Sequence, residues 1–398
     1  MYKTDFICFS INNWEKRRAR KQQFMLHLAL REDVGKVLYI EPALNFWRLL
    51  ILPFFELKTE ENRHRWMRAL KFKFEPAEET KKLFIFTPIF FIPFAFRIYF
   101  IYNLNLFLFV AWLRLKIRKM ISRPTVLWFY HPFDYHLLKW FREREISVFD
   151  WAEEWADYFI ELSEKRKKYV VELEEKIIKD VDIVFTVSFY LLEKAQKLNP
   201  HTYRLLDGTV YKVFSHTQME IPPDLKNIKK PIAGYLGTIN ERIDIELLEY
   251  ISNNLPDISI VMIGDIHYER TDWSRLKRCP NIFFLGAKKY EELINYASYF
   301  DISLLPYLPA LTLSFPTKVM DYLAIGRPIV STDLAELEDF KDYLYIACSK
   351  EEFAALMRMA LSENNPALFQ KRKNLALQNT WSRRVEEIMD ILNKRMAI

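Results

Sequence analysis

The stretch Ser314–Ser331 (SFPTKVMDYLAIGRPIVS) combines residue types that bind phosphate and ribose. Thr317 is placed to cap a helix that opens at Lys318, and Gly326, followed by a proline, ends it. Asp321 lies one turn on from Lys318 and shares its face. Because a helix N-terminus with a lysine and unpaired N–H groups attracts anions, and an acid can hold neighbouring hydroxyls, the pattern indicates a nucleoside diphosphate site.

Glycines that follow predicted strands indicate the rest of this site. Six of the seven glycines lie after residue 205, and close approach of a backbone to a ligand favours glycine. Gly237, Gly264 and Gly286 each end a predicted strand, at the edge where parallel sheets bind ligands. Arg242 is interpreted as a fixed cation near the phosphates, or alternatively as a solvated loop residue. The sequence GYLG is not the dinucleotide fingerprint GxGxxG, so a dehydrogenase is not supported.

Chemistry in the first half depends on one histidine and an acidic cluster. His131 follows a predicted strand, where it either acts on an acceptor or is an ordinary hydrogen-bonded strand-end residue. Asp150, Glu153 and Glu154 form the acidic cluster after the next strand. If the reaction inverts the reacting carbon, one of these side chains must deprotonate the acceptor hydroxyl. If it retains the configuration, the donor phosphate can take that proton.

A basic loop near the N-terminus is the second feature of this half. Its residues Arg17, Arg20 and Lys21 are expected to face a phosphorylated or lipid-linked acceptor, or to form the solvated start of a helix. A metal site is not predicted, because the Asp-x-Asp at 180–182 precedes a strand instead of following one. We therefore expect no metal and no other cofactor.

Composition limits the class of protein. The chain has 398 residues, 51% of them hydrophobic and 28% charged, which predicts a folded protein of two domains. Three scattered cysteines without CxxC indicate a reducing compartment, and the first residues lack the pattern of a secretory signal. A net charge of +6 suits anionic lipids or phosphorylated substrates and does not by itself indicate nucleic-acid binding.

The order of predicted elements gives the fold class. A strand, a helix and a second strand within the first 40 residues form a βαβ unit, and the pattern restarts after residue 230. We predict an α/β protein with two doubly wound, Rossmann-like domains facing across a cleft. The bounds are 1–210 for the acceptor-side domain, 211–230 for a linker, 231–375 for the donor domain, and 376–398 for a helix that can pack back on the N-terminal domain.

Residues 89–121 are rich in aromatic side chains, with basic residues around them. The longest uncharged run, Ile98–Leu113, is interrupted by Asn103 and Asn105, which disfavours a membrane-spanning helix. A core helix is the simpler interpretation. The alternative is an interfacial patch that rests on an anionic membrane.

The ordered set GYLG, IGD, FLGAKKYEEL, DISLLPY and FPTKVMDYLAIGRPIVST resembles the C-terminal domain of GT-B glycosyltransferases. It is most similar to family 4-like enzymes of bacterial surface polysaccharide synthesis, such as teichuronic acid glycosyltransferases. The first half agrees in pattern through FICFS, VLYIEP, VLWFYHP, VFDWAEEW and DIVFTVS, so the resemblance covers nearly the whole chain.

The resemblance implies roles for particular residues. The diphosphate would be held by Gly237, Thr238, Thr317 and Lys318. The ribose would be held by Asp321, and the base would lie along Gly286–Tyr290. Retaining members of the family carry a second acid eight positions before the ribose acid, and Leu313 stands at that position here.

The implied function is a glycosyltransferase, retaining in preference to inverting, that moves a sugar from a nucleotide-sugar donor to a glycan or lipid-linked acceptor. We expect it in the cytoplasm, peripheral to the inner face of the cell membrane. The alternatives are a sugar-nucleotide epimerase of the same architecture and a glycan- or membrane-binding scaffold without catalysis.

Overall fold

The computed structural model describes residues 3–14, 19–92, 99–118, 120–121, 124–141, 146–155, 164–210, 220–267, 271–312 and 314–397. The chain divides into two compact units. The first comprises residues 1–187, 191–205 and 385–398, and the second comprises residues 188–190 and 206–384. Each unit is built on its own parallel sheet.

The first unit contains an eight-stranded sheet in the order β10-β9-β8-β7-β1-β2-β5-β4, parallel except at β4, and a separate pair, β3 and β6. Its strands are β1 Thr4–Phe9, β2 Val34–Ile40, β3 Leu44–Asn45, β4 Glu75–Pro76, β5 Leu83–Phe86, β6 Ile89–Phe90, β7 Thr125–Phe129, β8 Ile146–Trp151, β9 Ile183–Thr186 and β10 Thr202–Arg204. The predicted β1-helix-β2 opening is confirmed, since β1 pairs in parallel with both β2 and β7.

Helices connect these strands. They are α1 Arg20–Leu30, α2 Phe46–Ile51, α3 Pro53–Glu56, α4 Glu60–Leu70, α5 Tyr99–Ile117, α6 Tyr135–Trp140, α7 Glu164–Asp180 and α8 Phe189–Gln196, with a 3-10 turn at Pro132–Asp134. One sheet face packs through Ile7, Leu127 and Phe149 against the buried face of α5 and against α7. Both faces of the central strands are therefore covered, as parallel sheets require.

A buried carboxylate ties α4 to this sheet. Glu41, directly after β2, is 2% exposed. It accepts hydrogen bonds from the Trp14 N–H (2.6 Å) and from Arg68 Nη1 (3.2 Å). Thr87 Oγ1 donates a third bond at 2.5 Å. Because a buried carboxylate is stable only when paired and hydrogen-bonded, these partners fix the loop at Trp14 and helix α4 relative to the sheet.

The second unit contains a six-stranded, fully parallel sheet in the order β13-β12-β11-β14-β15-β16. Its strands are β11 Ile232–Leu236, β12 Ser259–Ile263, β13 Ile282–Phe284, β14 Ile302–Leu305, β15 Ile329–Thr332 and β16 Tyr345–Ala347. Its helices are α9 Ile245–Asn254, α10 Ser274–Lys277, α11 Tyr290–Tyr299, α12 Lys318–Ile325, α13 Lys350–Leu361 and α14 Pro366–Gln378, with 3-10 segments at Pro309–Leu311 and Ala335–Tyr343. The last helix, α15 Trp381–Met396, crosses the boundary of the units at residue 384.

Helix α5 differs from an ordinary core helix. Leu106, Val110, Leu113 and Ile117 face the core, whereas Phe100, Phe107 and Leu115 are 74%, 53% and 68% exposed. By length and composition alone, its window Phe100–Ile117 could cross a membrane, and 28% of that window is buried. The helix is thus apolar on both faces, and one of those faces packs within the first unit.

Candidate functional site

The ends of β11 and β12 approach each other closely, and a glycine follows each strand. Gly237 has φ +131° and its N–H donates to the Ile263 carbonyl at 2.8 Å. A Cβ on Gly264, where φ is +154°, would lie 1.9 Å from the Gly237 carbonyl oxygen. The two strand ends therefore pack backbone against backbone at the carboxyl edge of the sheet, where the sequence places the donor site.

Lys318, the first residue of α12, lies directly over Gly237. Its Nζ donates a hydrogen bond to the Tyr235 hydroxyl at 3.0 Å and another to the Tyr307 hydroxyl. The ammonium also lies 4.5 and 4.9 Å from the centroids of these two rings. An ammonium has three N–H donors, so this arrangement fixes two of them and leaves one for a further acceptor such as a phosphate oxygen.

The two tyrosines form a rigid seat for that lysine. The Tyr235 hydroxyl donates to the Thr238 carbonyl at 2.8 Å, and Tyr307 follows β14. Burial, reinforced by Tyr307, raises the pKa of Tyr235 well above its ordinary value, so the phenol stays neutral. A neutral phenol can accept from Lys318 without cancelling its charge, and the ammonium therefore keeps its attraction for an anion.

The start of α12 differs from the prediction. Thr317 occupies the N-cap position but has helical backbone angles (φ −50°, ψ −32°), and its side chain makes no capping bond. Instead, the Val319 N–H bonds to the Pro316 carbonyl at 2.9 Å and the Met320 N–H to the Thr317 carbonyl at 3.2 Å. The expected set of unpaired N–H groups is thus partly used within the turn, and the charge of Lys318 becomes the main attraction for an anion.

Asp321 accepts a hydrogen bond from Thr209 Oγ1 at 2.7 Å. Thr209 is itself held by its backbone N–H, which donates to the Asn379 carbonyl at 3.0 Å. A carboxylate can accept about four hydrogen bonds, and the bond from Thr209 uses one of them. Thr209 orients the carboxylate, a contact that the sequence did not reveal.

The remaining donor-side residues lie on neighbouring loops of the second unit. Arg242 is exposed, and in the described part of the chain it makes no ion pair. Its positive charge acts on the buried Tyr235, which places it near the Lys318 cluster. Gly286 has φ +69° and open space around its Cα, and its carbonyl accepts from the Gly264 N–H at 3.0 Å. Tyr290 begins α11, but its side chain lies outside the described residues, as does Leu313.

In the first unit the structure joins two residues that the sequence treated separately. Arg20 Nε lies 3.0 Å from both carboxylate oxygens of Asp150, and Arg20 Nη2 lies 2.9 Å from Oδ1. The Arg20 and Asp150 side chains are 6% and 0% exposed. The two opposite charges are paired with each other. A phosphorylated acceptor would therefore have to compete with Asp150 for Arg20. Protonation of Asp150 would likewise have to break its bonds to Arg20.

His131 lies at the end of β7 next to this pair. Its Nδ1 accepts a hydrogen bond from the Phe133 N–H at 3.2 Å, so the proton of the neutral ring is on Nε2. The ring packs 4.4 Å from Trp155. Burial, with a smaller contribution from the charge of Lys21, lowers the pKa of His131 to about 3. The residue is therefore a neutral hydrogen-bond donor near pH 7 and not a ready proton acceptor.

The other predicted residues of this edge are spread over it. The Lys21 ammonium lies 5.5 Å from the centroid of the Tyr130 ring. Glu153 is exposed, and Arg17 lies outside the described residues. The structure thus brings Arg20, Lys21, His131 and Asp150 to the carboxyl edge of the first sheet.

Within the described ranges no group of three His, Cys, Asp or Glu side chains is arranged to hold a metal ion. The two acids of the Asp-x-Asp have structural partners. Asp180 accepts from the Tyr135 hydroxyl at 2.6 Å, and Asp182 accepts from the Ser147 N–H at 2.8 Å. These bonds tie α7 and the start of β9 to neighbouring elements.

Sequence reasoning missed Tyr235, Tyr307 and Thr209. Both tyrosines stand in motifs that were recognised, GYLG and DISLLPY, and Tyr307 lies two residues after the end of β14. Thr209 follows the Asp-Gly at 207–208 and carried no comparable signal.

Comparisons with solved structures define the class of fold. The chain aligns with sucrose-phosphate synthase from Thermosynechococcus elongatus at a TM-score of 0.67 and 14% identity, covering 99% of this chain and 100% of that one. It aligns with Anabaena HepE in complex with UDP and glucose at a TM-score of 0.65 and 11% identity, covering 98% and 99%. It aligns with a trehalose-6-phosphate protein from E. coli bound with UDP-2-fluoro glucose at a TM-score of 0.65 and 12% identity, covering 99% of both chains. These likenesses show that the fold is GT-B.

Sequence comparisons then define the domain. Residues 230–363 match the family described as "Glycosyl transferases group 1". The chain is also 25% identical over 282 residues to the "Putative teichuronic acid biosynthesis glycosyltransferase TuaH" of Bacillus subtilis (strain 168), covering 66% of this chain and 70% of that protein. The resemblance to GT-B glycosyltransferases is confirmed in the fold, and residues 230–363 are similar to the group 1 glycosyltransferases.

Proposed function

We propose that the protein transfers a sugar from a nucleoside-diphosphate sugar to a glycan or lipid-linked acceptor in the synthesis of a cell-surface polysaccharide. The observation that carries the proposal is Lys318, held by Tyr235 and Tyr307 over the glycine-ended edge of a domain similar to the group 1 glycosyltransferases. The Bacillus relative, a putative teichuronic acid biosynthesis glycosyltransferase, supports synthesis of a polysaccharide. Two structural neighbours, one in complex with UDP and glucose and the other bound with UDP-2-fluoro glucose, support the class of donor.

The chemistry follows from where charge develops. As the bond between the sugar and the diphosphate breaks, negative charge grows on the leaving phosphate oxygens. Lys318 and the exposed Arg242 would neutralise that charge, and fixed charges of this kind are the main means by which such transfers are accelerated. Asp321, oriented by Thr209, would hold the ribose hydroxyls and so keep the leaving group in register with Lys318.

The donor site is tested by titrating UDP calorimetrically into the wild-type protein and into Lys318→Ala and Asp321→Ala. A matched control is Lys350→Ala, since Lys350 also lies over a tyrosine ring (5.2 Å from the Tyr250 centroid) but outside this site. We expect the two site variants to bind UDP at least tenfold more weakly and the control to bind normally. Unchanged affinity in both site variants would contradict the proposed donor site.

We also propose that the configuration at the sugar carbon is retained. Of the three acid–base residues, His131 is neutral with its proton on Nε2, Asp150 is paired with Arg20, and Glu153 is exposed. This geometry favours a reaction in which the donor phosphate itself takes the acceptor proton. The anomeric coupling constant of the product, measured by NMR with a panel of UDP-sugars and glycoside acceptors, distinguishes the outcomes, and an inverted product would refute this part.

For location, we propose a peripheral protein at the inner face of the cell membrane. The support is the aromatic and basic region 89–121, of which residues 93–98, 119 and the Tyr99 side chain lie outside the described residues. The exposed apolar face of α5 is the part of this region that would meet lipid. A lipid-linked acceptor would be reached from such a position without leaving the bilayer.

A further inference from the structure

Helices α2 and α3 are short, apolar and almost entirely outside the core. Neither contains a buried residue. Large apolar side chains in them are exposed, with Ile51 at 71%, Phe54 at 94% and Phe55 at 64%. Apolar residues scattered singly on a surface are ordinary, but a contiguous group of this size marks a surface that is covered by a partner.

We propose that α2 and α3 insert into the interface of an anionic lipid bilayer. This deepens the membrane contact proposed above, since it assigns the inserting element to a segment outside 89–121. The positive charges around the segment favour an anionic lipid surface over a neutral apolar partner. Five cations in 46–73 are exposed, and Glu60 is the exposed acid of that segment. The exposed cations are Arg48, Lys58, Arg63, Lys71 and Lys73. Two of them are in ion pairs, Arg48 with Glu56 at 2.8 Å and Lys71 with Glu75 at 2.7 Å.

The apolar surface continues from α2 to α5. Phe46 packs against Phe91 with ring centroids 5.6 Å apart, and Phe91 stacks on Phe72 at 5.7 Å. Phe72 in turn meets Trp112 of α5 at 6.5 Å. The Trp47 indole N–H donates to the Phe91 carbonyl at 2.6 Å, and the residue is 40% exposed. A tryptophan with a bonded N–H and an exposed ring is typical of the membrane–water interface.

A cavity behind α2 and α3 fits the same partner. It has a volume of about 420 Å³ and lies between these helices and α4. Leu49, Leu57, Trp66, Met67 and Leu70 provide apolar walls, and the polar lining residues are Glu60, Arg63 and His64. Met67 and Leu70 are more than half exposed, so the cavity opens onto the same surface. A hydrocarbon chain from the bilayer would fill it with the lipid phosphate near Arg63.

The test is sedimentation of the full chain with vesicles of phosphatidylcholine alone or with 30% phosphatidylglycerol. The test variant is Phe54→Ser/Phe55→Ser, and the control is Met359→Ser/Leu377→Ser, two residues of the second unit with 61% and 52% exposure. Loss of two inserted phenylalanines should weaken partition to the anionic vesicles by about tenfold or more, and the control should bind like the wild type. Equal unfolding midpoints establish that all proteins are folded.

Three results would overturn the inference. One is unchanged vesicle binding by Phe54→Ser/Phe55→Ser. A second is equal binding of the wild type to both vesicle types, which removes the anionic partner. The third is a wild-type protein that sediments as a dimer and a Phe54→Ser/Phe55→Ser variant that sediments as a monomer, with the same vesicle binding. That result would make the surface a contact between two copies of the chain.

Two further measurements distinguish the role of α2 and α3 from that of the α5 surface and from that of the donor site. Phe107→Ser/Leu115→Ser changes only exposed positions of α5. If this variant alone loses vesicle binding, the proposed membrane contact of α5 stands and the role of α2 and α3 fails. UDP affinity, measured on the same preparations, reports on the proposed transferase independently of both.

Discussion

Gly237→Ala is the sharpest test of the Lys318 cluster. An added Cβ would lie 2.7 Å from Lys318 Cε and 2.8 Å from Nζ, closer than side chains approach one another. The end of the Lys318 side chain would have to shift, which strains the bonds of its ammonium to Tyr235 and Tyr307. The φ of +131° adds backbone strain, which costs about 1–3 kcal/mol for a residue with a Cβ.

Two magnitudes follow. The free energy of unfolding should fall by about 1–3 kcal/mol from that strain. A hydrogen bond to a charged group is worth about 1.5–3 kcal/mol, so UDP affinity should fall roughly 10- to 150-fold if the ammonium is displaced from the diphosphate. Calorimetric titration with UDP measures the second effect, and thermal unfolding measures the first.

Lys318→Ala provides the control through a double-mutant cycle. Once the lysine is removed, Gly237→Ala has no ammonium to displace, so the double variant should bind UDP as weakly as Lys318→Ala and no more weakly. Full additivity of the two losses would show that Gly237 acts on the nucleotide by another route. Normal UDP affinity in Gly237→Ala would refute the reasoning outright.

Four further predictions concern both units. Asp150→Asn should destabilise the protein by about 3–5 kcal/mol because it removes the carboxylate charge that faces the buried Arg20, whereas Arg20→Met/Asp150→Leu should cost clearly less in chemical denaturation. The lowered pKa of His131 means that the unfolded chain binds a proton below pH 6.5 that the folded chain does not, so the contribution of His131 to stability should fall by up to about 1.4 kcal/mol per pH unit between pH 6 and 4. Because the raised pKa values of Asp134 and Glu174 act in the opposite direction, the measurement is the unfolding free energy of the wild type relative to His131→Gln, and that difference should fall with the pH. Thr209→Val should weaken UDP more than pyrophosphate in competition binding, since it disturbs only the carboxylate assigned to ribose. Transfer activity should survive EDTA, and its loss with restoration by Mg²⁺ or Mn²⁺ would contradict the predicted absence of a metal.

The donor edge could be predicted from sequence because its signals are local. Gly237, Gly264 and Gly286 follow short buried runs, and Lys318 and Asp321 are separated by one helical turn. Such patterns depend on backbone geometry within a few residues. The Arg20–Asp150 pair could not be found in this way, because its partners are 130 residues apart and nothing in either neighbourhood identifies the other.

Two stretches escaped prediction for physical reasons. Residues 44–82 carry apolar side chains in α2 and α3 that no core covers, so the usual periodicity of a buried face is missing. Helix α14 was also missed, because it packs through Arg372 and Ala376 and not through an apolar stripe. Arg372 is fully buried, pairs with Glu363 at 2.6 Å and donates to the Gly326 carbonyl at 3.3 Å. A helix held by an arginine has no hydrophobic pattern to detect.

The buried carboxylate of Glu41 has a mechanical consequence. It joins α4 to the loop at Trp14, while Asn13 of the same loop donates to Glu61 of α4 and accepts from Gln22 of α1, both at 2.8 Å. The next link is Arg20 on Asp150. Arg63 of α4 donates to the Leu57 carbonyl, directly after α3, at 3.1 Å, so bonded contacts run from the end of α3 through α4 to the sheet edge proposed to meet the acceptor. If a bilayer holds α2 and α3, these contacts fix the distance between that sheet edge and the membrane surface. That distance in turn determines how far an acceptor must extend from its lipid to reach the edge.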